Sequence, residues 1–455
     1  MRKPPLTAPS DLSASKTTVS IARPNSANPD KPIIYLAEQH TITRHYRLIT
    51  PLFGGGVTTS ENDLSLLIRG TSVRGQLRFW WRACFGGSAI EAGNPQPDLL
   101  KMMYQREAAL WGSAANKTSG NPSRVRIHVD VINSGSVFKV TNRGMDVRVS
   151  AMNSPYGYAA FPLQDKPNAT VREGVEFTLT LHFPQHLDAE NTRDLVREIE
   201  ATLWAWETFG GIGARTRRGF GVIQRADGQS AYPFRTNAEL QNQLRTIVGA
   251  NNHWPEKVPH LHPAMQLRLI KPDQNSLQTW AKLLKRYKDF RQQRNPGSQP
   301  NRPGRSRWPE PDALRRLLGR RSRLHTQDVT TINAFPRAAF GLPIIFHFKD
   351  QDDPNATLKP ANHDRFASPL ILKPVALGKH HAGLLAVLCN TSLDDIPIVA
   401  ESGTRQTSVH LREKLNVSEA NALIRSDRTP LFRNRTKPTD VFAALLAEFR
   451  DEEYL

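Results

Sequence analysis

Cysteine is nearly absent from this sequence. Its 455 residues contain only Cys84 and Cys389, which lie far apart in the chain. Two such cysteines cannot build a disulfide framework, and they cannot supply a cysteine-based zinc site. The usage fits a reducing compartment, so we expect a cytoplasmic protein.

Long apolar runs are also missing. The longest comparable stretch, Leu384 to Cys389, is far short of the ~18–20 residues that a membrane-spanning helix needs. No secretory apolar region follows Met1, and Asp11 and Asp30 argue against a transit peptide. We therefore expect no membrane-spanning segment, and no membrane among the partners.

Acidic residues are few relative to basic ones. Lys and Arg number 61 against 42 Asp and Glu, which gives a formal charge of +19 and a pI near 10.2. Such a balance predicts binding of a polyanion. Charge alone leaves RNA, DNA and an anionic membrane surface open.

The hydrophobic pattern predicts an α+β fold. One hydrophobic core usually stops growing at ~250–300 residues, so the length favours two domains. Alternation predicts strands at residues 41–50, 125–131 and 175–183 and a closing strand at 220–224, and helical spacing predicts helices at 73–84 and 194–209. This order matches a βαββαβ ferredoxin-like unit, the architecture of RRM domains.

The C-terminal half repeats the pattern more weakly. Strands are predicted at 265–270, 343–348 and 369–372, and helices at 277–291 and 312–318. We predict two tandem ferredoxin-like domains with long loop insertions, the second degenerate: a disordered Pro/Ser-rich tail over residues 1–31, an N-terminal domain over 32–250 and a C-terminal domain over 251–455, with a basic loop at 295–309.

The most informative motif is GIGARTRRGFG at residues 211–221. Its glycines permit positive φ and close approach of the main chain, and its arginines add forked donors, so the loop can hold phosphate oxygens without reading bases. The loop follows a helix and opens a strand, the reverse of a nucleotide-binding loop, and it lacks Gly-Lys-Ser/Thr. The predicted RNA-binding residues of this loop are Gly210, Gly211, Gly213, Arg215, Thr216, Arg217, Arg218, Gly219, Phe220 and Gly221.

A second basic motif is IRGTSVRGQLRFWWR at residues 68–82. We predict Ser72 as the N-cap of a helix whose apolar face includes Trp80 and Trp81, which are more typical of a core than of base stacking. A row of arginines runs beside that face. The predicted RNA-binding residues of this segment are Arg69, Arg74, Arg78 and Arg82.

Together these motifs resemble the RAMP superfamily of CRISPR systems, whose hallmark is a Gly-hydrophobic-Gly loop after the second helix. PLFGGG (residues 51–56) followed by residues 68–82 resembles the N-terminal signature of the first RAMP subunit of the type III-B Cmr effector complex. FGLP (340–343) and RFASPL (365–370) extend the likeness more faintly. The resemblance implies a ribonucleoprotein subunit that caps the 3′ end of the guide RNA, contacts the complementary target RNA and adjoins other RAMP subunits.

The resemblance leaves catalysis to be weighed on residues. Some RAMP proteins are metal-independent ribonucleases, and His40 and His45 lie where an acid–base residue could act. The pairs His260/His262 and His380/His381 have no carboxylate cluster of metal-ligand spacing nearby. We therefore expect a non-catalytic protein without metal or cofactor, with an endoribonuclease as the alternative. Whether the C-terminal half binds RNA through Arg315 and Arg316 stays open.

Overall fold

The computed structural model shows an α+β chain with several antiparallel sheets, which confirms the α+β part of the predicted fold class. The structure describes residues 14–23, 33–54, 56, 61–89, 98–114, 120–166, 169–186, 194–230, 232–249, 252–292, 294, 306, 308–318, 335–348, 353, 355–391, 398–403, 405–409 and 441–449.

In the described residues the N-terminal half has one large antiparallel sheet and one small two-stranded sheet. Its described strands are β1 (Ala14–Arg23), β2 (Ile33–Leu48), β3 (Arg126–Val137), β4 (Val140–Asn142), β5 (Met145–Val147), β6 (Arg172–Pro184) and β7 (Ile223–Arg225). Its described helices are α1 (Gly70–Phe85), α2 (Leu99–Trp111), α3 (Leu195–Phe209) and α4 (Asn237–Val248). β7, β2, β6 and β3 lie side by side in that order, and β4 pairs only with β5.

This arrangement follows from the alternation in β6, where Val175, Phe177 and Leu179 are buried while the residues between them face outward. α1 and α3 pack against each other and bury their apolar stripes in the same core. Trp80 and Trp81 are core residues, as predicted. Helices α2 and α4 were not among the predicted elements.

The structure departs from the predicted N-terminal tail. Residues 14–23 form β1, which pairs with β2 from Ala14↔Ile42 to Arg23↔Ile33. An edge strand gains its hydrogen bonds from a neighbour, so it needs no apolar period of its own, and that criterion missed it. Residues 1–13 and 24–31 lie outside the described residues.

The C-terminal half contains two further sheets. Its described strands are β8 (Leu267–Ile270), β9 (Ile344–Phe346), β10 (Ala356–Pro360), β11 (Leu370–Leu377), β12 (His380–Val387), β13 (Ile398–Ser402) and β14 (Arg405–Val409). Its described helices are α5 (Ser276–Arg291), α6 (Glu310–Leu317) and α7 (Val441–Ala447). One sheet has the order β11-β12-β8, and the other has the order β14-β13-β10-β9. β10, β12, β13, β14 and α7 were not predicted.

Two hydrophobic cores cross the predicted division at residue 250. The core beneath the first sheet includes Leu269 and Leu384 from the C-terminal half. A second core joins Phe53 and Phe220 to Trp280. A third, smaller core packs α6 against the β9–β10–β13 sheet. The halves are therefore buried against each other, and the positions of the domain boundaries stay a prediction.

Some sequence features lie mostly outside the described residues. Of the basic loop at 295–309, the structure describes Ser306, Trp308 and Pro309, and Trp308 is buried. In the described region no helix is long and apolar enough to cross a membrane. Cys84 and Cys389 are free thiols.

Candidate nucleic-acid interface

Helix α1 begins without a side-chain cap. Arg69 occupies the N-cap position with extended backbone (φ −92°, ψ 134°), and the first turn contains no acidic residue. Ser72 lies inside the first turn, so the prediction that it caps the helix is wrong. The first backbone N–H groups of a helix have no partner within it and carry partial positive charge. The start of α1 is therefore a donor-rich, electropositive surface.

Three arginines of the α1 row bind groups within the protein. Arg74 Nη1 donates to Ser123 Oγ at 2.5 Å and to the Val125 carbonyl at 3.2 Å. Arg78 Nε and Arg82 Nη1 both donate to Oε1 of the buried Glu107 at 2.7 Å. These bonds attach α1 to α2 and to the start of β3. RNA binding by these three side chains stays a prediction, because their arrangement serves packing as well.

Arg69 is differently placed. Its Nε and Nη2 atoms are buried from solvent and have no hydrogen-bond partner. The nearest carboxylate is Asp63, whose Oδ2 lies 3.8 Å from Nη2, beyond hydrogen-bond distance. The guanidinium group therefore keeps donors for a ligand.

The glycine-rich loop, residues 210–221, folds back against the segment before α1. Ala214 N donates to the Phe53 carbonyl at 2.8 Å, and Gly221 N donates to the Pro51 carbonyl at 2.8 Å. Gly213 has φ +80°, and a Cβ there would lie 2.7 Å from the Phe53 carbonyl oxygen. Two motifs that are far apart in the sequence thus form one structural unit, and glycine at 213 is what lets them approach.

The second part of the loop faces the C-terminal half. Arg217 Nη1 donates to the Ser368 carbonyl at 2.5 Å, and its guanidinium group lies over the Phe79 ring. Arg218 donates to the Leu370 carbonyl at 2.7 Å, to the Phe340 carbonyl at 3.2 Å and to the Tyr287 hydroxyl at 3.2 Å.

The loop residues that follow Arg218 are packed into the protein. Phe220 is fully buried and meets Trp280 edge-on at 4.8 Å. Gly219 has φ +85°, and its α-carbon lies so close to the Trp280 indole that a Cβ would collide with it. Gly210, Gly211 and Gly221 are buried as well. A direct RNA contact by the Phe220 side chain is therefore wrong for this conformation, because the second core encloses the ring.

Thr216 opens a short 3-10 turn over Thr216–Arg218, and Arg215 precedes it in the left-handed region (φ +58°). The Arg215 Nε atom is buried without a partner. Burial, and then the neighbouring Arg218, lower the pKa of Arg215 to about 10. The group nonetheless stays charged at neutral pH.

A groove of about 370 Å³ joins the two motifs. One wall is the start of α1 with Arg69 and Ser72, and the other is the glycine-rich loop at Gly213. The complete lining is Leu52, Gly56, Leu67, Ile68, Arg69, Ser72, Gly75, Gln76, Ile212, Gly213 and Ala214. An uncapped helix start, a guanidinium group with unbonded donors and a glycine backbone converge there, which is the chemistry that holds an anion. We call this feature the phosphate groove.

The histidines considered for catalysis or for metal binding lie in different surroundings in the structure. The His45 Nδ1 atom lies 2.8 Å from Thr178 Oγ1 on the exposed face of the sheet. His40 is buried and stacks on Phe183. His260 stacks on the Trp254 ring at 4.3 Å. Across the described residues no cluster of three or more potential metal ligands occurs.

Sequence reasoning missed a buried charge network beneath the loop. Lys373 of β11 is fully buried, and its Nζ donates to the carbonyls of Glu207 and Gly210 at 2.9 and 2.7 Å. The Glu207 carboxylate in turn accepts from Arg44 Nη1 and from the Tyr46 hydroxyl, each at 2.7 Å. Burial lowers the pKa of Lys373 to about 7, and Glu207 opposes that shift. The network fixes the start of the glycine-rich loop, and no local pattern in the sequence could reveal it.

The comparisons with known proteins agree with the motifs. The family model of the RAMP superfamily matches residues 45–224, which include the groove and the loop. The sequence is 27% identical over 183 residues to "CRISPR system Cmr subunit Cmr1-2" of Pyrococcus furiosus, a match that covers 39% of this chain and 90% of that protein.

Two solved structures are similar over most of the chain. The apo crystal structure of Cmr1 from Pyrococcus furiosus has a TM-score of 0.43 and 18% identity, covering 79% of this chain and 97% of that one. A chain in the cryo-EM structure of the type III-B Cmr-beta bound to cognate target RNA has a TM-score of 0.41 and 11% identity, covering 84% and 98%. At these TM-scores the structural likeness supports no conclusion about the site.

The class of protein that this chain resembles follows from the family match. Residues 45–224 match the family model of the RAMP superfamily. Within that superfamily the chain is similar to a Cmr1 subunit from Pyrococcus furiosus.

Proposed function

We propose that this chain is a non-catalytic RNA-binding subunit of a type III-B CRISPR (Cmr) ribonucleoprotein in the cytoplasm. In this proposal it caps the 3′ end of the guide RNA, contacts the target RNA that pairs there and adjoins other Cmr subunits. The relative with 27% identity is named as a Cmr subunit. The segment that the RAMP family model matches, residues 45–224, contains both basic motifs. The net charge of +19 suits an RNA partner.

The phosphate groove is the observation that carries this proposal. A phosphodiester entering it meets the first N–H groups of α1, the unpaired donors of Arg69 and the backbone at Gly213. Both oxygens of a phosphodiester accept hydrogen bonds, and a charge-assisted bond to arginine is roughly twice as strong as a neutral one. Such contacts hold the backbone without reading bases, which suits a subunit that must accept any guide sequence.

The proposal includes the tandem ferredoxin-like architecture. In the N-terminal half, β2, β3, β6 and β7 are the first to fourth strands of a βαββαβ unit, and they lie in the spatial order fourth, first, third, second. In the C-terminal half, β8, β11 and β12 repeat the order first, third, second without a fourth strand among the described residues. We assign the second unit as a ferredoxin-like domain that lacks its closing strand.

Arg69 provides the test of RNA binding. Arg69→Ala is expected to weaken binding of single-stranded RNA about tenfold for every sequence, because it removes a charge-assisted contact to phosphate. Arg245→Ala is the matched control, since Arg245 is exposed on α4 and its side chain donates to Asn242 Oδ1. Fluorescence anisotropy with unrelated RNA sequences measures both variants. Equal affinities for wild type and Arg69→Ala would remove the groove from the proposal.

Catalysis and capping are tested separately. The purified chain incubated with labelled repeat RNA and with a guide–target duplex is expected to leave both intact. Defined products that disappear in His45→Ala would establish the endoribonuclease instead. In the assembled complex, nuclease footprinting is expected to show protection of the 3′ nucleotides of the guide that is lost when this subunit is omitted.

A further inference from the structure

Beyond Ala214 the glycine-rich loop enters a second cationic environment, which we call the arginine–tyrosine cluster. Its members are Arg215, Arg218, Arg291, Arg337, Tyr158 and Tyr287. Arg291 Nη1 donates to the Tyr158 hydroxyl at 3.0 Å, and Arg337 Nη1 donates to the Arg291 carbonyl at 3.1 Å. Arg218 Nη2 lies 3.2 Å from the Tyr287 hydroxyl. The cluster therefore lies between the N-terminal and C-terminal halves.

The cluster carries more positive charge than its surroundings neutralise. Glu310 pairs with Arg337 at 3.2 Å, and among the described residues it is the only carboxylate in an ion pair with any of the four arginines. Arg365, which is exposed, adds to the positive charge facing Arg215. Like charges brought together out of water repel strongly and remain only where something compensates them.

Several donors of the cluster are unused. The Nε atoms of Arg215 and Arg291 and the Nη2 atom of Arg337 are buried and have no hydrogen-bond partner. A buried polar group without a partner costs about 1–3 kcal/mol, and a charged one costs more. The unused donors and the unneutralised charge thus occur at the same place.

A purely structural role explains part of the cluster. Arg218 is held by four oxygen acceptors, and Arg291 lies over the Tyr287 and Phe340 rings at 5.6 Å. These contacts account for two of the arginines as packing elements. They do not account for Arg215, whose strained left-handed backbone (φ +58°) places a charged side chain beside Arg218 with its Nε unbonded.

We propose that the arginine–tyrosine cluster binds one phosphate group of the RNA strand whose neighbouring phosphate lies in the phosphate groove. A phosphate group has several oxygens that accept from more than one guanidinium group, and its negative charge offsets the excess positive charge of the cluster. Ala214 lines the groove and Arg215 belongs to the cluster, so consecutive residues connect the two sites. This inference rests on the proposed function of the groove, but its chemistry can be tested without RNA.

The first experiment uses inorganic phosphate as the probe. Thermal unfolding of the full chain is compared in phosphate and in chloride at equal ionic strength. Phosphate is expected to raise the Tm of the wild type by about 2 °C at tenfold its Kd. Arg215→Gln should lose the part of this increment that the cluster contributes, because only the phosphate groove stays intact in that variant. Its Tm in chloride should equal or exceed that of the wild type because one repelling charge is gone. Arg245→Gln, an exposed arginine outside the cluster, should keep the increment.

The outcomes separate a binding site from a packing element. A lower Tm of Arg215→Gln in chloride, or an undiminished phosphate increment in that variant, overturns the proposal. So does the absence of any increment in the wild type. None of these results depends on RNA, so the failure of the proposed function leaves this part of the test intact.

The second experiment identifies the source of the phosphate. Inorganic phosphate is titrated against a single-stranded oligoribonucleotide bound to the wild type and to Arg215→Gln at constant ionic strength. If the cluster holds an RNA phosphate, inorganic phosphate displaces RNA from the wild type more readily than from Arg215→Gln. If phosphate and RNA bind without competition, the cluster takes free phosphate and the RNA assignment is wrong.

Discussion

The arginine row of α1 and the arginine row of the glycine-rich loop look alike in the sequence and differ in the structure. In α1, Arg74, Arg78 and Arg82 bond to Ser123, Val125 and Glu107 of the same half. In the loop, Arg217 and Arg218 bond to carbonyl groups of the other half. One row secures a helix within its domain, and the other joins two halves of the molecule.

Each row nevertheless leaves its first member with unused donors. Arg69 precedes α1, and Arg215 precedes the 3-10 turn of the loop. Both have a buried Nε without a partner. The comparison shows that the density of arginines marks a basic region, whereas the arginines with unbonded donors are the ones that we propose to hold an anion.

Arg218 offers the largest expected effect. Arg218→Ala should lower the free energy of unfolding by about 3 kcal/mol, because it leaves the carbonyl groups of Leu370 and Phe340 without a donor in a buried place. Arg78→Ala should cost only about 0.5 kcal/mol, since the Arg78 side chain is partly exposed and Glu107 keeps Arg82. Urea denaturation measures both. Similar losses of unfolding free energy in the two variants would show that the two arginine rows contribute equally to stability.

The second prediction concerns the pKa of Lys373, whose amine binds the start of the glycine-rich loop. The amine is charged in both states below about pH 7, and from there to its ordinary pKa of 10.5 only the unfolded chain keeps the proton. The contribution of Lys373 to the free energy of unfolding therefore rises with pH, at a rate approaching about 1.4 kcal/mol per unit above pH 8. Denaturant unfolding of wild type and Lys373→Met between pH 7 and 9 measures the difference between them. A constant difference would show that Lys373 has an ordinary pKa.

The smallest expected effect is a change in the salt dependence of RNA binding, which distinguishes Arg215 from Arg217. Arg215→Ala should reduce the log–log slope of affinity against salt by about 0.7, the value for one phosphate contact with a single strand. Arg217→Ala should leave the slope unchanged, because its guanidinium group donates to Ser368 and lies over Phe79. A reduced slope in Arg217→Ala would show that the carbonyl bond yields to phosphate when RNA is present.

Elements with a clear period were predictable from local residues. The helix at α1, the helix at α3 and the strand β6 follow from apolar spacing over a dozen or more residues. β1 and the strands β10, β13 and β14 of the C-terminal half were not predictable, because pairing between distant segments stabilises them. The phosphate groove was predictable in its residue types at Arg69 and Gly213, but not in its shape.

The sequence by itself determined where the basic motifs lie, which glycines permit a tight loop, and that helices and strands alternate around it. It determined these because each depends on residues that are close together in the chain. Only the tertiary structure decided which arginines are already satisfied. The Ser368 carbonyl that Arg217 binds and the Leu370 carbonyl that Arg218 binds lie 151 and 152 positions away in the sequence. A guanidinium group is available for RNA only if the fold brings no such oxygen to it.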